Sequence, residues 1–592
     1  MSGRRLLHSA LSSLEKNTEQ SSAARAKNHC VVIAGPGSGK TKTLTTAMAR
    51  VLVEDVAQPR GVACITYNNE CAYELEERLG SLGIEKSDRV FIGTVHSFAL
   101  TQIIYPYGRC VLPGWVNDLS VAPEDEIKEV IAIAHAKAIG GNDNPTNRWK
   151  FATEKRRRDI DRSRPEWLGK NEELARFIEA YEVELRRRGK IDFDDMPLIA
   201  FDMVARHSWI RESIRAKFPV LFVDEYQDLG HALHLLVLKL CFETGIRLFA
   251  VGDGDQSIYG FIGAEPSLLE EISTRSDVET FRLRFNYRCG TRIIDASMAA
   301  LGEERGYVGP ENAHEGKIDF HPVIGGEREQ AAFVLETLIP ALRKQGVPLS
   351  EIGILYRWAK HSNELVKHAQ ALGIPFVRAD NQALIKRGSS ISRFVEKCAR
   401  WVTGGWKTAQ PRFLHLSRDA VGLVYGGSAD EQEIRDLERE LISFLKPVQR
   451  DESTHAWLIA FQRDVFSRWK QRARTITEKW DDVDEMIRRT DPNGKGVDLT
   501  LAVFSGDTSG LGALNFSTFH SSKGREFRAV ILLGMDNDVI PKKYSASDPK
   551  KLREERREFY VAVTRAKEQL HIVFTKEHHS SFVVELYKRS TQ

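Results

Sequence analysis

A glycine-rich segment near the N-terminus has the residue types that bind nucleotide phosphates. It lies between the β-branched stretch HCVVI and a segment of helical periodicity, and consists of Ala34, Gly35, Pro36, Gly37, Ser38, Gly39, Lys40 and Thr41. Glycines let backbone N–H groups face the phosphates, and the N-terminus of the following helix adds a favourable dipole. We expect Lys40 to contact the β- and γ-phosphates and the Thr41 hydroxyl to ligate Mg²⁺.

Two adjacent carboxylates follow a second, wholly apolar segment. Asp224 and Glu225 come directly after VLFV. Two carboxylates at the end of a buried strand are costly unless a cation lies between them and a phosphate group. We expect Asp224 to hold Mg²⁺ and Glu225 to orient or deprotonate the attacking water. Together with the P-loop, the pair predicts an enzyme that hydrolyses a nucleoside triphosphate.

A third segment, VGDGDQSIYGFIGAEP (251–266), combines an amide with aromatic side chains. Gln256 is placed to sense the γ-phosphate. Tyr259 and Phe261 lie among glycines, and aromatic faces of this kind stack on nucleic-acid bases for about 1–3 kcal/mol per base. Packing in a hydrophobic core is the alternative for both rings, although the flanking glycines disfavour a buried strand.

Size and composition define the setting of these motifs. The 592 residues are too many for one hydrophobic core, so we expect about four structural units. Hydrophobic residues make up 42% and charged residues 28%, which is ordinary for a soluble globular protein. The sequence has no apolar run long enough to span a bilayer, and its N-terminus lacks the features of a secretory signal. We therefore expect a cytoplasmic protein without a membrane partner.

Charge and cysteine give weaker information. The net charge is +3, but residues 148–164 and 186–190 are strongly basic. They would suit phosphate contacts, or they form solvated helix faces. The 7 cysteines are scattered without a C-x-x-C pair, which favours buried thiols over disulfides or a cysteine-based zinc site.

The order and wording of the motifs, from Gln20 to about Thr575, resemble the UvrD/Rep/PcrA helicases of superfamily 1. The resemblance implies an α/β fold with two RecA-like P-loop motor domains, each with a parallel sheet interrupted by a mainly helical insertion. It implies that Gln20 reads the adenine of ATP. ACITYNNECAYELEERL (63–79) and FIGTVHSFA (91–99) resemble DNA-contact motifs, and the implied contacts are Thr66, Tyr67, Asn69, Thr94 and His96.

The C-terminal half continues the resemblance. In LRFNYRCGTRI (283–293), Tyr287 would stack on the base of ATP and Arg288 would meet the γ-phosphate. The other implied roles are DNA contact for Arg357, a position at the DNA–ATP interface for His520 and Lys523, ribose binding for Glu526, and a second arginine finger for Arg565. Arginine fingers stabilise the charge on the transferring phosphoryl group.

The family pattern also implies domain boundaries. The first motor domain would comprise residues 1–103 and 191–282, interrupted by a helical insertion at 104–190. The second would comprise residues 283–384 and 511–592, interrupted by a helical insertion at 385–510. The residues implied to bind ATP are divided between the two motor domains, so we expect each ATP cycle to close and open them.

This resemblance predicts an ATP- and Mg²⁺-dependent translocase or helicase that moves 3′→5′ on single-stranded DNA. Its expected partners are single-stranded DNA, single-strand/duplex junctions, and a nuclease or repair protein. Two departures from the family pattern weaken the prediction of strand separation. Phe261-Ile262 stands where the family usually has Trp-Arg, and Glu70 stands where a lysine is common.

Other functions are compatible with parts of this pattern. The second hypothesis is a DNA-sensing regulatory ATPase subunit of a nuclease-containing anti-phage defence complex, similar to the GajB-like subunits of Gabija systems. IGTVHSFALTQIIYPY loosely resembles those proteins, and both insertions are small. A P-loop kinase for a small metabolite is the third, but it would not need two arginine fingers and stacking aromatics. RNA also remains open as the bound strand.

Overall fold

The chain folds as two units, each built around a parallel β-sheet. Unit 1 comprises Met1–Arg288 and Arg305–Ala313, and unit 2 comprises Cys289–Glu304 and His314–Gln592. The computed structural model describes residues 2–84, 87–112, 119–260, 263–380, 383–386, 389–405, 411–425, 429–473, 480–493, 499–505, 512–543, 545 and 547–590.

The strands of unit 1 form a six-stranded sheet and a separate short pair. They are β1 (His29–Ala34), β2 (Val62–Thr66), β3 (Val90–Thr94), β4 (Ser120–Val121), β5 (Lys190–Ile191), β6 (Val220–Val223), β7 (Arg247–Gly252) and β8 (Val278–Leu283). The sheet order is β3-β2-β6-β7-β1-β8, with parallel neighbours throughout. Val31 packs in the core on one face and Val32 in the core on the other. Burial on both faces explains why the inner strands β2, β6 and β7 are almost continuous apolar runs.

Helices cover this sheet and form the insertion between β3 and β6. The described α-helices of unit 1 are Ser2–Leu14, Thr18–Arg25, Lys40–Arg50, Asn69–Ser81, Val95–Phe98, Tyr105–Val111, Glu124–Ala138, Pro145–Arg158, Glu166–Gly169, Glu172–Arg187, Asp195–Arg206, Ser208–Lys217, His231–Val237 and Ser267–Ser273. Within the insertion, residues between Ala122 and Leu185 form a hydrophobic core of their own.

Unit 2 has the same kind of sheet. Its strands are β9 (Lys317–Val323), β10 (Ile352–Tyr356), β11 (Phe376–Arg378), β12 (Leu514–Thr518), β13 (Phe527–Leu532) and β14 (Ala566–Thr575). The order is β11-β12-β10-β13-β14-β9, and every neighbouring pair is parallel. β9 is therefore an edge strand of this sheet.

The insertion of unit 2 lies between β11 and β12 and is helical. The described α-helices of unit 2 are Thr291–Leu301, Glu327–Ala332, Ile339–Lys344, Asn363–Ala371, Ser390–Arg400, Phe413–Tyr425, Glu431–Leu445, Thr454–Phe461, Ser467–Arg472, Asp481–Thr490, Leu501–Phe504, Pro549–Val563 and Ser581–Ser590. Trp457 and Trp469 are buried in the insertion's own core. Across both units, no described helix has the length and apolar character needed to cross a membrane.

The predicted α/β fold class, with two parallel sheets and a helical insertion in each unit, is confirmed. The residue boundaries of the four domains stay a prediction. Arg288 belongs to unit 1, together with the short segment Arg305–Ala313. Of the cysteines, Cys30, Cys64, Cys241, Cys289 and Cys398 are buried, Cys71 is half-buried and Cys110 is exposed, so the interpretation as buried thiols is wrong for Cys110.

The basic stretches of the first insertion are largely engaged in internal ion pairs. Arg156 is fully buried, with Nη1 2.8 Å from Asp192 Oδ2, Nη2 2.5 Å from Asp195 Oδ1 and Nε 2.8 Å from Glu182 Oε1. Arg186 pairs with Asp195 at 2.7 Å. For these arginines the structure differs from both sequence-based alternatives, because their charge is neutralised inside the protein.

Replacing Arg156 should destabilise this insertion. In Arg156→Met the carboxylates of Asp192, Asp195 and Glu182 lose their buried partner, and breaking a buried pair costs about 3–5 kcal/mol. We expect faster hydrogen–deuterium exchange in the helix Glu172–Arg187. Arg158→Met is the control, because Arg158 is exposed and pairs with exposed Glu154. Equal protection of that helix in the two variants would contradict a stabilising role for the Arg156 network.

Candidate functional site

The P-loop has the backbone conformation that its glycines predict. It joins β1 to the helix Lys40–Arg50, and Gly37 and Gly39 have φ values of +68° and +82°. A Cβ atom on Gly37 would lie 2.3 Å from Asn286 Oδ1, and one on Gly39 would lie 2.5 Å from Gln20 Nε2. Both positions therefore favour glycine for their conformation, and Gly37 also for space, because a Cβ there would lie 2.6 Å from Arg288 Cβ. Ser38 Oγ closes the turn by donating to the Gly35 carbonyl at 2.6 Å.

The two residues implied to contact the adenine lie beside this loop. Gln20 is buried, and its Nε2 donates to the Ser38 carbonyl at 2.6 Å. Tyr287 is half exposed; its backbone N–H donates to the Gly37 carbonyl at 2.9 Å, and its hydroxyl accepts from Asn17 Nδ2 at 2.9 Å. Arg288 follows directly and lies against the P-loop: its Cβ would be 2.6 Å from the Cβ of any side chain placed at position 37. Unit 1 thus brings Gln20, Tyr287 and Arg288 together around the P-loop.

The predicted acidic pair lies at the carboxyl end of β6. Asp224 is buried, and Glu225 has a φ of +51°, a left-handed conformation that is unfavourable for a residue with a side chain. Glu225 Oε1 lies 3.6 Å from Lys40 Nζ. Burial and then the neighbouring Glu225 raise the pKa of Asp224 to about 7, although Lys40 opposes the shift. The site thus holds more negative charge than Lys40 alone balances.

Two further polar residues complete this edge of the sheet, and the sequence analysis did not identify them. Asp253 directly follows β7; burial raises its pKa to about 6, although Lys40 opposes the shift. Gln227 is fully buried; its Nε2 donates to Glu225 Oε2, and its Oε1 accepts from the Asp253 N–H at 2.8 Å. Gln256 Nε2 donates to Asp253 Oδ2 at 2.6 Å. A carboxylate at the end of a second apolar strand was the available signal for Asp253.

The carboxylates at this edge fit a magnesium ion. Asp224 Oδ1 is buried and has no hydrogen-bond partner among the described residues. Mg²⁺ in nucleotide sites is typically held by one or two carboxylates together with the phosphates of the substrate. Thr41 is half-buried and directly follows the P-loop lysine, as the second residue of the helix Lys40–Arg50.

The residues of unit 1 implied to contact DNA cluster at the ends of neighbouring strands. Thr66 ends β2 and is fully buried, Asn69 begins the next helix, and Thr94 ends β3. Thr94 Oγ1 accepts from the Ser97 N–H at 3.3 Å, so it caps a helix. His96 is half-buried with its ring edge-on to Phe193 at 5.8 Å, and burial lowers its pKa.

Two aromatic rings of this cluster stack on each other. The ring centroids of Tyr67 and Tyr259 are 4.6 Å apart, with an interplanar angle of 24°. Tyr67 follows β2 and Tyr259 follows β7, so the pair joins two loops at one edge of the sheet. Burial raises the pKa of Tyr259 well above its usual range. Phe261, the third predicted aromatic contact, lies outside the described residues.

In unit 2, the predicted residues lie in the turns after β12 and before β14. His520 is half-buried, with Nε2 3.7 Å from Glu558 Oε1, and Lys523 is three residues further on in the same turn. Glu526 is exposed and pairs with Lys567 at 2.9 Å. Arg565 is buried: Nε donates to the Val561 carbonyl at 2.9 Å, and Nη1 donates to the Arg525 carbonyl at 3.2 Å.

Arg357 is buried in an ion-pair network. Its guanidinium pairs with Glu558 and lies 3.7 Å from Glu555. Burial raises the pKa of Glu558 to about 7, although Arg357 opposes the shift. The next residue, Trp358, is half-buried and was not singled out in the sequence. Lys360 Nζ and Lys542 Nζ each lie 5.1 Å from its ring centroid.

The P-loop lysine and the buried carboxylates lie at the same edge of one parallel sheet, and unit 2 contains a second parallel sheet. Together these features define a P-loop nucleoside triphosphatase with two α/β units. Two family models match the chain. Residues 16–277 match the UvrD/REP helicase N-terminal domain, and residues 504–577 match the UvrD-like helicase C-terminal domain. The chain belongs to the UvrD/Rep family of helicases. The predicted family is therefore confirmed, and with it the prediction of an ATP-hydrolysing helicase.

Curated relatives agree with this assignment. The chain is 26% identical to an ATP-dependent DNA helicase PcrA from Staphylococcus epidermidis, over 94% of this chain and 83% of the relative. It is 25% identical to an ATP-dependent DNA helicase PcrA from Staphylococcus aureus, over 94% of this chain and 82% of the relative. The similarity therefore includes both units and their insertions.

Glu225→Gln tests the assignment of the base that activates water. The amide has the same shape but cannot accept the proton, so we expect turnover to fall by about 10²- to 10⁴-fold with ATP binding retained. The measurement pairs steady-state phosphate release with equilibrium binding of a fluorescent ATP analogue.

Glu212→Gln is the matched control, because Glu212 is an exposed carboxylate paired with Arg215. It should hydrolyse ATP at the wild-type rate. Wild-type turnover in Glu225→Gln would remove Glu225 from this role and direct attention to Asp253.

Proposed function

We propose that this protein is an ATP-dependent DNA helicase that translocates 3′→5′ along single-stranded DNA. The observation that carries the proposal is the loop after β7. Gln256 in that loop contacts Asp253 at the carboxyl edge of the unit 1 sheet, which we call the phosphate edge because the P-loop lies there. Tyr259, three residues later, stacks on Tyr67. A change around the nucleotide phosphates therefore has a short covalent route to a pair of rings suited to stacking on bases.

Within the proposed reaction, Lys40 neutralises the β- and γ-phosphates and Glu225 accepts a proton from the attacking water. Thr41 and Asp224 would hold Mg²⁺, which neutralises phosphate charge when bound. We propose that Gln256 senses the γ-phosphate and that Arg288 and Arg565 act as arginine fingers. The remaining proposed nucleotide contacts are Gln20 and Tyr287 for the base, Glu526 for the ribose, and the P-loop backbone for the phosphates.

The proposed DNA contacts combine stacking faces with polar groups. In unit 1 they are Tyr67 and Tyr259, with Thr66, Asn69, Thr94 and His96 nearby. In unit 2, His520 and Lys523 are proposed from the family pattern. Because Arg357 is buried between two glutamates, we propose that the neighbouring Trp358 is the side chain of that segment that faces the strand. Lys360 and Lys542, beside its ring, would contact phosphates.

Strand-separation assays test substrate and direction together. The substrates are one duplex with a 3′ single-stranded tail, the same duplex with a 5′ tail, and the 3′-tailed duplex with an RNA tail. We expect ATP-dependent unwinding of the 3′-tailed DNA alone. Unwinding of the 5′-tailed duplex would contradict the direction, and preference for the RNA tail would contradict the substrate. ATP hydrolysis without unwinding of any duplex would instead favour the regulatory subunit of a nuclease-containing defence complex.

Tyr259→Ala tests the stacking pair. We expect single-stranded DNA binding to weaken by about 1–3 kcal/mol, because one base-stacking face is lost, while ATP binding stays within twofold of wild type, about 0.4 kcal/mol. Fluorescence anisotropy with a labelled oligonucleotide and titration with an ATP analogue measure the two affinities.

Tyr587→Ala is the matched control, because Tyr587 is another tyrosine that is half exposed and packs on Phe320 in unit 2. It should bind the oligonucleotide like the wild type. Equal losses of DNA and ATP affinity in Tyr259→Ala would show that the ring supports the fold of the site and does not stack on a base.

A further inference from the structure

Two histidines and an aspartate lie close together on the neighbouring strands β9 and β14 of unit 2. Asp319 and His321 are two residues apart on the edge strand β9, so they lie on the same face. His571 on β14 is paired in register with Asp319. One nitrogen or oxygen from each of the three side chains lies within 4.8 Å of the others.

The spacing of these atoms matches a shared metal ion. His321 Nε2 is 3.2 Å from His571 Nδ1, and His571 Nδ1 is 3.4 Å from Asp319 Oδ2. Two nitrogens bound tetrahedrally to zinc at about 2.0–2.1 Å are separated by about 3.3–3.4 Å. Two of the three distances within the group therefore match those between ligands of one ion.

The side chain of Gln569 contacts the ring nitrogen of His571 that faces away from the other two residues. The outer nitrogen of His571, Nε2, lies 3.3 Å from Gln569 Oε1, and Gln569 Nε2 donates to Gln345 Oε1 at 3.1 Å. If Nε2 carries the proton, Nδ1, the atom nearest His321 and Asp319, is the nitrogen left to bind a metal. Histidines that bind metals typically donate their other N–H to an oxygen in this way.

One cation competes for the carboxylate of this group. Lys317 Nζ lies 2.7 Å from Asp319 Oδ2, but its side chain is largely exposed and can turn into solvent.

We infer that Asp319, His321 and His571 form a binding site for a divalent transition-metal ion of the zinc type. Imidazole and carboxylate ligands suit Zn²⁺ and Ni²⁺ better than they suit Ca²⁺. His571 is buried, whereas Asp319 and His321 are half-buried, so the ion would enter from their side. Bound there, the ion ties the edge strand β9 to β14. This site belongs to unit 2 and is independent of the proposed Mg²⁺ ligands.

Calorimetric titration of the full, metal-stripped chain with ZnCl₂, in the absence of nucleotide, tests this inference. We expect a binding event of one ion per chain. His321→Gln and Asp319→Asn should each weaken it by about 10- to 100-fold or more, since loss of even an outer-shell partner has an effect of that size. Both residues are partly exposed, so the variants should fold, which circular dichroism verifies.

His368→Gln is the control, because His368 is a partly exposed histidine that pairs with a single carboxylate, Glu336, at 2.6 Å. It should bind Zn²⁺ like the wild type. Hydrogen exchange supplies a second readout: Zn²⁺ should slow exchange in β9 of the wild type and of His368→Gln, but not of His321→Gln. Unchanged Zn²⁺ affinity in His321→Gln, or no slowing of exchange in β9 of the wild type, would overturn the site and leave the two histidines as a hydrogen-bonded pair.

Discussion

Lys40 lies among more buried carboxylates than one lysine can neutralise, and this imbalance determines what unit 1 can bind at the carboxyl edge of its sheet. Asp224, Glu225 and Asp253 lie at the carboxyl edge of the sheet, and the pKa values of Asp224 and Asp253 are raised to about 7 and about 6. Burying carboxylates in this way is unfavourable without a cation. The arrangement is therefore suited to a ligand that brings Mg²⁺ with its phosphates, and Gln227 holds the two acidic loops in a fixed relation.

Elsewhere the chain balances buried charge internally. Arg156 is enclosed by three carboxylates in the first insertion, and Arg357 is enclosed by two glutamates in unit 2. The Arg156 network differs from the phosphate edge because Arg162 and Arg186 pair with the same carboxylates, whereas Asp224 Oδ1 has no hydrogen-bond partner among the described residues. The contrast distinguishes buried charge that ion pairs neutralise from buried charge that a bound ligand would neutralise. Counting basic residues along the sequence cannot make this distinction.

The sequence was sufficient wherever a local pattern carries the chemistry. The P-loop, Asp224 and Glu225 could be predicted because glycine spacing and a carboxylate after an apolar strand determine their positions locally. The two parallel sheets followed from the resemblance to the helicase family. Gln227 could not be assigned, because its partners are set by the register of β6 against β7. Arg156 was misjudged for a similar reason, since Asp192 and Asp195 are more than thirty residues away in the sequence. The cluster of Asp319 and His571 requires the pairing of β9 with β14, which no local motif indicates.

We propose that ATP hydrolysis at the phosphate edge is coupled to the binding of single-stranded DNA. The decisive experiment is steady-state ATPase activity measured without nucleic acid, with single-stranded DNA and with blunt duplex. We expect low basal activity, strong stimulation by the single strand, and little stimulation by the blunt duplex. Equal activity under all three conditions would contradict the coupling between the phosphate edge and the Tyr67–Tyr259 pair.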